Sequence, residues 1–99
     1  MQHGGDVARH DLVGNLLKAM QGEYNAIFFY EKLATLAPNE QMRKRILDIQ
    51  ADEIEHFKAF SYLYTHLTGM QYTPQITEPM PTTFPDGVVA AFNDEQDRA

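Results

Sequence analysis

Glu23, Glu53 and His56 stand where an apolar residue would be the ordinary choice. At about 100° of rotation per helical residue, Glu23 lies about 20° from Tyr30, in a stripe with Leu12, Leu16, Met20, Ile27 and Ala34. Glu53 lies about 20° from both Ile46 and Phe60, and His56 follows it at i+3 on the same side. Burying an ionised carboxylate without compensation costs several kcal/mol, so the pair has to be neutralised by protonation, by basic side chains or by a metal ion. Lys18, Lys32, Arg43, Lys44, Arg45 and Lys58 fall on other faces or at other levels, although long side chains can bend around. A metal is the simplest counter-charge. Oxygen-rich sites with one imidazole per ion suit iron or manganese, and the run Glu53-Ile54-Glu55-His56 lets one helix offer a carboxylate and a ring nitrogen to one ion. The chain has no cysteine, which removes disulfides, thiolate zinc sites, iron–sulfur clusters and a cysteine nucleophile.

The elements that position these groups are helical. Apolar residues at three- and four-residue steps predict a first helix over residues 7–37, weakened but not stopped by Gly14 and Gly22. Pro38 and Asn39 close it, and a second helix over 40–68 restarts at once, carrying Met42, Ile46, Ile49, Phe57, Phe60, Leu63 and Leu67 before Gly69 offers a C-terminal cap. An antiparallel hairpin of helices about 40 Å long results. Residues 70–86 hold four of the five prolines and predict an extended connection, long enough to travel back along such a helix. Asp86 is a fair N-cap for a short third helix over 87–98, on which Val88, Ala91 and Phe92 form a stripe that Glu95 joins.

Ninety-nine residues, 43% apolar and 22% charged, make a single globular domain. No apolar run reaches the length of a spanning helix and no signal peptide opens the chain, so a soluble, cytoplasmic protein is expected, without a membrane partner. A net charge of -6 argues against nucleic acid. A chain this small buries only about two-thirds of its unfolded surface, which favours a second copy over an exposed apolar face.

GEYNAIFFYEKLA around Glu23 and LDIQADEIEHFKAF around Glu53 and His56 resemble the ferritin-like superfamily, and within it the small rubrerythrin-like proteins of bacteria. The resemblance covers about residues 12–99. It implies Glu23 as a terminal or bridging iron ligand, Glu53 as a bridging carboxylate, His56 as the imidazole ligand, and Glu95 as a further ligand from the third helix. It also implies a four-helix bundle, a di-iron centre with manganese possible, and ferroxidase or peroxide-reducing activity on ferrous iron with dioxygen or peroxide. A full-length member of the superfamily continues into a fourth helix with another Glu-x-x-His, and this chain ends at Ala99. Two completions stand open: a homodimer or higher homo-oligomer that brings two hairpins together around two iron ions, or a truncated half of a longer chain. A rubredoxin-like tail needs cysteines, so iron itself or an external donor supplies the electrons.

An inward glutamate is often a satisfied core polar group, and Glu-x-x-His occurs by chance in many helices; the conjunction of the two on adjacent stripes favours metal. From another class comes a metal-free helical dimerisation or interaction module. His3, His10 and His66 read as surface residues, Glu31 and Glu55 as a solvated face, and Tyr24, Tyr30, Tyr62 and Tyr64 as core edges.

Overall fold

The break between the first two helices is built by four consecutive residues, Leu36, Ala37, Pro38 and Asn39. In the computed structural model, which describes the backbone of residues 3–98 and the side chains of residues 9–94, helix α1 spans His3–Thr35 and helix α2 spans Glu40–Thr68. The last turn of α1 tightens into short bonds from Leu36 N–H to the Leu33 carbonyl (3.0 Å) and from Ala37 N–H to the Ala34 carbonyl (3.3 Å). The helix therefore ends two residues before the expected 37, as the proline at 38 requires of the residue that precedes it. Its start lies earlier than the expected 7, because Gly4 and Gly5 lower helix propensity without forbidding the conformation. Asn39 then adopts an extended backbone and accepts a hydrogen bond from Met42 N–H at 2.9 Å, capping α2. Glu40 in the first turn takes a two-pronged hydrogen bond from Arg43, which holds its carboxyl below the usual carboxylate range. At the far end Gly69, at φ 73°, closes α2 by donating to the Thr65 carbonyl at 2.7 Å. Asn39→Ala is expected to cost about 1 kcal/mol, read as a drop of about 4–8 °C in the thermal midpoint.

The connection after Gly69 runs back along α1. Gln21 donates to the Gln75 carbonyl at 2.7 Å, and Asn25 holds Thr77 twice, donating to its hydroxyl at 3.0 Å and accepting from its backbone N–H at 2.9 Å. Helix α3 spans Phe84–Arg98, beginning three residues before the expected 87. The cap is not Asp86 but Thr83, whose hydroxyl accepts from Asp86 N–H at 3.2 Å; Pro85 is well placed in a first turn, where no N–H is needed. Gly87 lies so close to Leu33 and Pro81 that a Cβ there would collide with the Leu33 side chain, so the start of α3 is pressed onto the hairpin end of α1.

The protein is thus all-helical, with three helices and no strand among the described residues. Its radius of gyration is 16.1 Å and its extents are 59 × 22 × 20 Å, against about 13 Å for a compact chain of this length. A rod of this kind buries little on one flank. Leu12, Met42, Ile49 and Leu63, all expected on the buried stripes, are exposed, as are Val88 and Phe92 of α3. No helix among the described residues is long and apolar enough to cross a membrane.

Candidate metal centre

Two apolar clusters hold the hairpin together, and the carboxylates fill the gap between them. Toward the free ends Leu16, Met20 and Tyr64 are buried against Phe57, Phe60 and Leu67. Toward the hairpin turn Ala26, Tyr30, Leu33, Ala34 and Ile46 are buried with Leu47 and Phe84 around them. Glu23 follows Met20 by three residues, and Glu53 lies between Ile46 and Tyr64 on α2, so each carboxylate has a sealed cluster above and below it.

The structure brings together the three residues singled out by their spacing. One donor atom from each of Glu23, Glu53 and His56 lies within 4.8 Å of the other two. His56 Nδ1 stands 3.3 Å from Glu53 Oε1 and 3.6 Å from Glu23 Oε2. The side chains of Glu23 and Glu53 are only 12% and 8% exposed, whereas that of His56 is 57% exposed. Arg43 and Lys58 are turned away, onto Glu40 and Glu55 at the surface.

The donor set fits a metal ion. Oxygen and nitrogen ligands about 2.0–2.2 Å from one ion lie roughly 3–3.5 Å from each other, close to the 3.3 and 3.6 Å between His56 Nδ1 and the two carboxylates and longer than good hydrogen bonds. The imidazole is on the rim rather than in the interior, and Ile49, expected on the buried stripe of α2, is 44% exposed. In one chain the site is therefore sealed along the rod and open on its flank. The side chain of Glu95 lies outside the described residues.

The remaining candidates fall as follows. Glu31, Glu55, His10 and His66 are exposed, His66 stacking on Tyr62; the side chain of His3 lies outside the described residues. Tyr24 packs its ring on Phe28 and Phe57, and Tyr30 is buried in the cluster near the turn. Two polar residues were not visible as contributors. Gln50 donates from α2 to the Ile27 carbonyl of α1 at 3.0 Å, and Asn25 is buried by the returning connection. Gln50 does carry a signal, a polar residue three before Glu53 on the same face; Asn25 carries none, because its cover comes from fifty residues further along the chain.

No family model and no solved structure matches the chain. A protein of Bacillus subtilis (strain 168), named Uncharacterized protein YhjR, is 48% identical over 86 residues, covering 87% of this chain and 59% of YhjR. The chain thus spans about three-fifths of the length of that relative. The likeness brings no activity with it.

Proposed function

We propose that this chain is one half of a di-iron or di-manganese carboxylate centre, completed by a second copy in a ferritin-like four-helix bundle, with ferroxidase or peroxide-reducing activity. The observation that carries the proposal is the convergence of Glu23, Glu53 and His56 from two helices onto one point between two apolar clusters. A two-fold dimer doubles this to four carboxylates and two imidazoles, the set that such bundles use. Four carboxylate charges balance two divalent cations, which removes the penalty of burying them.

Bound iron would supply one electron per ion, two together for dioxygen or peroxide. The chain's own part is to hold and to exclude. Glu23 and Glu53 present oxygens from fixed helix positions, and Met20 with Tyr30 closes the ends of the site against water. His56 sits on the flank that is open in one chain and that the second copy would close.

The test is metal content together with solution mass, on protein produced with iron or manganese supplied. About one ion per chain in a dimer or larger assembly is expected. A chain that holds no metal from any preparation leaves the metal-free dimerisation module as the better account.

A further inference from the structure

Gln50 is a half-buried polar residue on the inner side of α2 whose hydrogen bond goes to an acceptor that its own helix already serves. Its Nε2 donates across to the main-chain carbonyl of Ile27 on α1 at 3.0 Å. That carbonyl lies inside α1, where the helix's own i+4 amide is its regular partner, so Gln50 reaches only its second lone pair. An apolar side chain of the same length would suit a half-buried site between two helices at least as well. What the amide adds is a position. Gln50 precedes Glu53 by three residues on α2, and Ile27 follows Glu23 by four on α1. In an antiparallel hairpin both lie about one turn from the carboxylates, on the side of the Pro38-Asn39 turn.

Apolar contacts along the rod tolerate sliding, because dispersion attraction is non-directional and shared over many atoms. A hydrogen bond to a backbone carbonyl does not, since its acceptor cannot rotate away and its strength falls within a few tenths of an ångström. A slip of one residue would move Glu23 about 1.5 Å along Glu53 and His56, more than a metal site accepts. We propose that Gln50 is a positioning residue, which fixes the axial register of α1 against α2 so that Glu23 meets Glu53 and His56 at one ion.

This inference rests on the metal reading above, and cobalt(II) titration followed by visible absorption separates the two. Wild-type protein is expected to bind cobalt(II). In Gln50→Met the metal-free thermal midpoint should be unchanged or raised, while cobalt(II) affinity falls about tenfold or more and the absorption bands shift. Gln50→Glu guards against a folding defect in the first variant. Charge attraction alone would tighten cobalt(II) binding there, whereas a carboxylate that cannot donate to the Ile27 carbonyl should weaken it. Wild-type affinity and bands in Gln50→Met, or tighter binding in Gln50→Glu, overturns the positioning role and leaves the metal reading intact. A wild-type chain that binds no cobalt(II) overturns both.

Discussion

Glu53→Leu is expected to abolish metal uptake and, in the metal-free protein, to raise the thermal midpoint. The two effects share one cause. Glu23 and Glu53 place carboxylate oxygens near the same imidazole nitrogen, 3.6 and 3.3 Å away, with both side chains almost fully withdrawn from water. Without an ion, two like charges share a desolvated gap, and the histidine that faces them both stands on the rim. Withdrawing an ionised carboxylate from water costs several kcal/mol, which Glu53→Leu recovers, while the hydrogen bond given up leaves His56 Nδ1 on a ring that is 57% exposed and open to water. In a chain of this length each kcal/mol moves the midpoint by about 4–8 °C. A glutamate kept for structure would behave in the opposite way, because the hydrogen bonds it made would be lost and their partners stranded. A calorimetric scan of metal-free wild type and Glu53→Leu therefore reads the purpose of the residue from a sign, and a lowered midpoint counts against the metal centre. The activity arm uses Glu53→Ala with His56→Ala: iron-dependent oxygen consumption should vanish while far-ultraviolet circular dichroism stays helical.

Much of this was legible in the residues because the signals are local. Pro38 and Asn39 mark the turn, Gly69 marks the end of α2, and three-and-four spacing marks the faces, all decided within a few residues by backbone sterics and capping. The three site residues were legible for a related reason. A charge within an apolar stripe is a conflict visible in sequence, and two such conflicts on adjacent antiparallel helices meet if the hairpin is tight. What escaped depends on chain far away. Asn25 reads as one more solvated helix position until Thr77 folds over it, and Gln50 shows its role only once the register of the two helices is known. Leu12, Ile49 and Leu63 were expected inside because periodicity reports which face is apolar; it does not report whether one chain has enough mass to cover that face.

The uncovered face leads to the second large effect, in Ile49→Lys. Ile49 lies one turn before Glu53 and borders an apolar hollow of about 340 Å³ with Met42, Val88 and Phe92, which are themselves exposed. Within one chain it contributes little to the core, so a lysine there should leave the fold of the monomer intact and its solubility improved. In a two-fold dimer closing over the metal site the same side chain would be buried twice, once from each copy. A buried charge without a partner costs about 3–5 kcal/mol, and each 1.4 kcal/mol is a factor of ten in the dissociation constant. Assembly at micromolar concentration should therefore fail, and bound iron should fall with it, since a half-site with an exposed histidine has neither the ligand count nor the dryness to keep the ion. Light scattering with metal analysis on the same sample reads both quantities. A variant that stays dimeric and loaded shows that the partner approaches from elsewhere. One that turns monomeric yet keeps one ion per chain shows that Glu23, Glu53 and His56 suffice alone.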